Sequence, residues 1–186
     1  MKQIPNILTV LRLLLVPLFI LLFFATSPLF ALPLFWLAGV TDVLDGYLAR
    51  RNNWGSTFGK VLDPVADKLM QGAALLCFAL ADYLPLLFIL PFVAKELAQA
   101  VLGFLMLRRR EVVVTSHWYG KALVTLFYVA VTLTVLCQLP QVASLALTKP
   151  LLYGFWCLAL LFAVFTFISY TVSYARLAKS TAQRMS

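Results

Sequence analysis

The sequence predicts an all-α integral membrane protein, one domain over residues 1–186, with six transmembrane helices and both termini cytoplasmic. Three observations carry that expectation. The chain is 63% hydrophobic and 12% charged, whereas a soluble domain is roughly half apolar and a quarter charged. Too little polar surface remains to cover a buried core in water. Apolar runs near the ~20 residues that a helix needs to cross a bilayer recur along the whole length. Lysine and arginine gather in alternate connections, as the positive-inside rule requires.

The first span is expected over Ile7–Ala25. Its opening, "MKQIPNILTVLRLLLVPLFILLFF", has a signal-peptide flavour. Arg12 interrupts the apolar run and no clean small-residue cleavage site follows, so the segment reads as a retained helix. The second span, Leu32–Leu48, and the third, Val61–Ala81, are each polar at one end. Pro85–Leu107, Trp118–Leu139 and Leu151–Ala175 complete the set. No internal repeat, low-complexity segment or linker divides them. Lys2, Arg12, Arg50, Arg51, Lys60, Arg108, Arg109, Arg110, Arg176, Lys179 and Arg184 fall at the termini and at the second and fourth connections. Lys149 alone falls on the other side. That asymmetry places both termini in the cytoplasm, and anionic headgroups account for the net charge of +8. No basic region interleaved with aromatics points to nucleic acid.

Cys77, Cys137 and Cys157 lie inside apolar runs without metal-ligand spacing and read as small core residues. Tyr83, Trp118, Tyr119 and Tyr174 lie near span ends, where an aromatic belt is expected. Lys95 and Glu96 fall deep in the fourth span, where charges are costly unless paired or facing a cavity, and read as a structural ion pair, with direct substrate contact as the alternative. Asn6, Thr9 and Arg12 recur every third residue; they border a ligand, or Asn6 caps the helix and Arg12 snorkels. His117 is given no catalytic role.

The stretch "TDVLDGYLARRNNWGSTFGKVLDPVADK" holds four of the seven acidic residues, Asp42, Asp45, Asp63 and Asp67. Spacings of three and four put each pair on one face of a helix. Four carboxylates in one partly apolar pocket repel strongly without cations. A divalent metal resolves this, and an all-oxygen donor set suits Mg²⁺, Mn²⁺ or Ca²⁺ rather than zinc. Asp42, Asp45, Gly46 and Ala49 form one helical stripe, and Gly59, Asp63, Ala66 and Asp67 form the next. Glycine in a helix is unfavourable by ~1 kcal/mol relative to alanine, so Gly46 and Gly59 on the carboxylate faces read as room for a ligand. Arg50, just beyond, is placed to pair with a phosphate oxygen. Metal, arginine and a clear floor suit a diphosphate substrate. Acids at a polar helix end with ordinary packing glycines are the plainer reading. They leave the two matched pairs unexplained.

Written out, Asp42-x2-Asp45-Gly46-x2-Ala49-Arg50-x8-Gly59-x3-Asp63-x3-Asp67 resembles the pattern of the CDP-alcohol phosphotransferase family at every fixed position. Those are integral membrane enzymes that join a CDP-linked alcohol to a second alcohol and release CMP. The opening "IPNILTVLR" and "LDPVADK" are similar to the branch making phosphatidylglycerol-type lipids. The resemblance implies a two-metal site, Mg²⁺ or Mn²⁺, held by Asp42, Asp45, Asp63 and Asp67. It implies Gly46, Ala49, Arg50 and Gly59 around the CDP moiety, and Asp67 as general base on the acceptor hydroxyl. It also implies CDP-diacylglycerol as donor, a homodimer, and a bacterial inner membrane with the site facing the cytoplasm.

For the acceptor, glycerol-3-phosphate needs a cationic pocket, and Arg108, Arg109, Arg110 and Lys121 are the candidates; a positive-inside anchor explains the arginines equally well. Lys121 in "WYGKALVT" resembles the Gly-Lys that opens helix five in this branch. Two positions depart from its glycerol-phosphate enzymes: Gly103 stands near an expected arginine, and Ala122 or Leu123 where a second basic residue is expected. Phosphatidylglycerol, giving cardiolipin, is the alternative acceptor. An ion-binding transporter is the alternative class, disfavoured because the acids cluster at one helix end instead of lining a midplane route.

Overall fold

The computed structural model describes residues 4–52, 57–108 and 118–185, with side chains described over 9–44, 65–101 and 118–173. Among the described residues the regular structure is entirely helical. The helices are α1 (Ile4–Ala25), α2 (Pro28–Asn52), α3 (Thr57–Leu80), α4 (Leu86–Arg108), α5 (Trp118–Leu136), α6 (Pro140–Ala143) and α7 (Thr148–Met185). A helix covers the greater part of each expected span. Pro28 opens α2 and Pro85 directly precedes α4, positions where the missing N–H costs nothing. Pro17, Pro33 and Pro91 lie inside helices, which is tolerated where neighbouring helices and local adjustments satisfy the freed carbonyls.

Three boundaries differ from expectation. Helices α2 and α3, of 25 and 24 residues, reach further into the acidic stretch than expected, past Leu48 to Asn52 and ahead of Val61 from Thr57. The fifth span ends at Leu136, and the short α6 follows, with Pro140 in its first turn. Helix α7 is 38 residues long, about 57 Å at 1.5 Å per residue. It extends ten residues past Ala175, because "ARLAKSTAQRM" contains no breaker.

Contacts cluster into two units, Met1–Tyr83 and Leu84–Ser186. In the first, α1 packs on α2 and α3. The buried stripe of α1 is Thr9, Arg12, Leu15, Phe19 and Phe23; that of α2 is Ala31, Phe35, Ala38 and Thr41; that of α3 is Ala66, Met70, Ala73 and Cys77. Alanine at the contacts lets the helices approach closely, and rings fill the remaining space. Phe19 meets Phe35 at 5.9 Å between centroids, and Phe23 meets Phe78 at 6.1 Å and Tyr83 at 5.8 Å.

In the second unit α7 packs on α4, α5 and α6. Its centre is Trp156, fully buried, edge-on to Phe92 at 5.4 Å and to Phe127 at 6.1 Å. The indole N–H donates to Thr134 Oγ1 at 3.0 Å, and that hydroxyl donates to the Ala130 carbonyl at 2.8 Å. Both buried polar groups are thereby satisfied. Lys95 and Glu96 form the expected ion pair. Thr148 Oγ1 donates to the Val142 carbonyl at 2.7 Å and ties the start of α7 back to α6.

Large apolar side chains point outward on both units, among them Leu21, Phe30, Leu80, Leu87, Leu151 and Leu161. Among the described residues, Trp118–Leu136 and Thr148–Ser173 are long and apolar enough to cross a membrane. Of the three cysteines only Cys77 is buried; Cys137 is half-buried and Cys157 faces outward. The core role expected of Cys157 does not hold, because the buried face of α7 is set by Leu152, Trp156, Ala159 and Ala163.

Candidate active site

The polar end of the first unit is built by the same periodicity that builds its core. The buried stripe of α1 runs backward from Phe23 to Arg12 and Thr9, and that of α2 runs forward from Ala31 to Thr41. The helices are antiparallel, so these two polar ends meet. Arg12 Nη1 lies 2.9 Å from Asp42 Oδ1. Arg12 is 1% exposed, while the Asp42 side chain is 41% exposed. Thr41 is buried beside Asp42 in the chain and donates Oγ1 to the Ala38 carbonyl at 2.9 Å.

The second described aspartate, Asp67, lies on α3. Phe23 of α1 meets Phe78 of α3 and Tyr83, just past the end of α3. Asp67 is half-buried and accepts a hydrogen bond from Gln71 Nε2 at 3.1 Å, one turn on along α3.

Of the other expected site residues, Asp45, Gly46, Ala49 and Arg50 fall on α2 and Gly59 and Asp63 on α3. Their side chains lie outside the described residues, as do that of Arg108 and the whole of Arg109, Arg110 and His117. Lys121 is exposed in the first turn of α5, and its carbonyl accepts from Thr125 Oγ1 at 3.1 Å. Leu123 is buried in α5. Among the described residues no three His, Cys, Asp or Glu side chains come close enough to hold a metal. Asp42 and Asp67 are the described members of the expected set.

Of the two readings of Arg12, bordering a ligand or snorkelling, burial excludes the second, and the structure adds one polar residue that the sequence reading lacks. Arg12 does not snorkel: it is buried and paired with Asp42. Gln71 was passed over within an apolar run. Its spacing of four from Asp67 was the available signal, since i,i+4 neighbours share a helix face.

Helices with an apolar exterior, which make up the regular structure among the described residues, have the construction of a membrane protein. The chain belongs to the CDP-alcohol phosphatidyltransferase family, whose sequence profile matches residues 2–168. A CDP-diacylglycerol–glycerol-3-phosphate 3-phosphatidyltransferase of Pseudomonas fluorescens is 55% identical over 76 residues, 39% of each chain. A protein of the same name from Rickettsia bellii (strain RML369-C) is 36% identical over 137 residues, 70% of this chain and 74% of that one. A probable phosphatidylglycerophosphate synthase of Mycobacterium tuberculosis (strain CDC 1551) is 35% identical over 140 residues, 72% of this chain and 66% of the other. The match thus spans about two fifths of the Pseudomonas protein and about three quarters of the Rickettsia bellii one.

Proposed function

We propose that the protein transfers the phosphatidyl group of CDP-diacylglycerol to the hydroxyl of glycerol-3-phosphate, giving phosphatidylglycerophosphate and CMP. The observation that carries the reading is the Arg12–Asp42 pair between α1 and α2, with Asp67 bonded to Gln71 on the adjoining α3, within the family motif. Relatives aligned over some 70% of the chain are named for this reaction, which supports glycerol-3-phosphate as acceptor.

The donor set fits a divalent cation: hard carboxylate oxygens, partly exposed, on two packed helices, in a motif without histidine or cysteine. Asp42, Asp45, Asp63 and Asp67 would hold it, as two ions of Mg²⁺ or Mn²⁺. When bound, the metal neutralises the diphosphate and the charge that develops on departing CMP. Arg50, Gly46, Ala49 and Gly59 admit and orient the CDP moiety. Asp67 takes the proton of the acceptor hydroxyl. That oxygen then bonds the lipid-side phosphorus in line, and the bond from this phosphorus to CMP breaks. A carboxylate of ordinary pKa, ~3.9, is a weak base for an alcohol. Positioning and charge stabilisation therefore supply most of the barrier reduction. Lys121 and Arg108, Arg109 and Arg110 would receive the acceptor phosphate. The reading also takes the chain as one domain of six membrane spans with cytoplasmic termini, a homodimer of the bacterial inner membrane.

The test is a product assay with purified protein and CDP-diacylglycerol, given glycerol-3-phosphate in one tube and phosphatidylglycerol in another. CMP and phosphatidylglycerophosphate in the first tube are expected. Cardiolipin from the second tube alone would replace the acceptor, and no CMP from either would favour a transporter.

A further inference from the structure

We propose that Arg12 is a resident counter-cation of the carboxylate site, holding the charge of Asp42 when no divalent cation is bound. The inference rests on the metal-bearing reading above. Arg12 is buried to 1% exposure and its guanidinium lies 2.9 Å from Asp42. Five acids fall in residues 1–83, and four of them are the motif aspartates. The fifth, Asp82, follows the end of α3, beyond the Phe23–Phe78 contact. An arginine cannot shed its proton to escape a buried site, and a buried charge stands only when paired. The packing of α1 on α2 puts this fixed charge beside Asp42, and α3, which carries Asp67, packs on the same helix. It is supplied by α1, outside the acidic motif.

A fixed positive charge acts oppositely on the two states of the site. Without metal it offsets repulsion among the carboxylates, so it stabilises the empty protein. With metal it adds a repulsion toward the incoming ion, so it weakens metal binding. Arg12 would thus keep the empty site folded and make the metal easier to release. Anything that binds the native state raises its melting temperature by linkage, which makes both effects measurable without turnover.

The experiment uses the full chain in detergent. Mn²⁺ affinity is read by electron paramagnetic resonance of the free ion, and Tm is measured with and without Mn²⁺, for wild type, Arg12→Gln and Arg12→Lys. In Arg12→Gln the Tm of the metal-free protein should fall more than that of the metal-bound protein, and Mn²⁺ should bind roughly threefold tighter or more. Arg12→Lys keeps the charge and should stay near wild type in both. An equal fall in the two Tm values with unchanged Mn²⁺ affinity would reduce Arg12 to a packing residue and overturn the inference. Weaker Mn²⁺ binding in Arg12→Gln would overturn it too, by making Arg12 a positioning residue for Asp42. If wild type itself binds no Mn²⁺, the metal reading falls and takes the inference with it. Should Arg12→Gln not fold, the neutral pair Arg12→Gln/Asp42→Asn decides. Its recovery as folded protein supports the counter-charge role, and its failure argues against it.

Discussion

Gln71 donates its amide N–H to Asp67 Oδ2 across one turn of α3, 3.1 Å away. The glutamine is 9% exposed, so one end of this part-buried bond is held in the packed interior and orients the carboxylate.

Gln71→Leu should therefore lower kcat by about tenfold, since misplacing a reacting group by a fraction of an ångström is costly. The KM for CDP-diacylglycerol should change little. Leucine suits a buried position, so the fold should stand. Steady-state kinetics on both substrates check this. An unchanged kcat would show that the orientation of Asp67 comes from elsewhere.

Asp63→Asn should abolish transfer in a protein that still folds and inserts. Asparagine keeps the shape but removes one anionic ligand from a hard-cation site. Turnover near the wild-type rate at saturating Mg²⁺ would remove Asp63 from the ligand set.

Lys121→Ala should raise the KM for glycerol-3-phosphate by roughly tenfold or more, with much less effect on CDP-diacylglycerol. A charge-assisted hydrogen bond to a phosphate is worth ~1.5–3 kcal/mol, and 1.4 kcal/mol is one decade. Lys121 is exposed at the start of α5 and so is open to a soluble ligand. Equal changes in both KM values would count against its assignment to the acceptor.

Gly120→Ala should destabilise the α5–α7 contact, by about 1–3 kcal/mol as an overpacking change. A Cβ at Gly120 would stand 2.6 Å from the Tyr170 hydroxyl, yet 3.6 Å from the ring carbon that bears it. Tyr170→Phe should thus restore most of the lost Tm in the double variant. Thermal melts in detergent decide it. Failure of the rescue would mean that the strain lies in the backbone rather than in the hydroxyl.

Much of this architecture is legible in the sequence, because lipid makes helices obligatory wherever the chain is apolar. The runs around Phe19, Phe35, Phe78 and Trp156 all became helices, and the motif aspartates fell on α2 and α3. What periodicity lacks is the partner. It puts Arg12 on the same face as Phe19 but cannot say that this face meets α2, so snorkelling and burial look alike. Gln71 was hidden for a similar reason: a single polar residue among alanines and leucines has no pattern until Asp67 gives it an acceptor. Helix α6 and the extra turns of α7 depend on local backbone choices to which hydropathy is blind. Cys157 was misplaced because a wholly apolar run does not disclose which side is inward.

The α1–α2 contacts have the form of a ladder. Arg12 and Phe19 are seven residues apart, as are Phe35 and Asp42. Seven residues make nearly two turns, about 10 Å along the axis, so the ring contact and the ion pair are two rungs between the same rails. The greasy rung sets the spacing at which the charged one can close. A residue inserted between Arg12 and Phe19 would leave the rings in place and swing the guanidinium through about 100°, away from Asp42. The alignment of the charged end is thus gauged from inside the apolar layer, by side chains enclosed in the core.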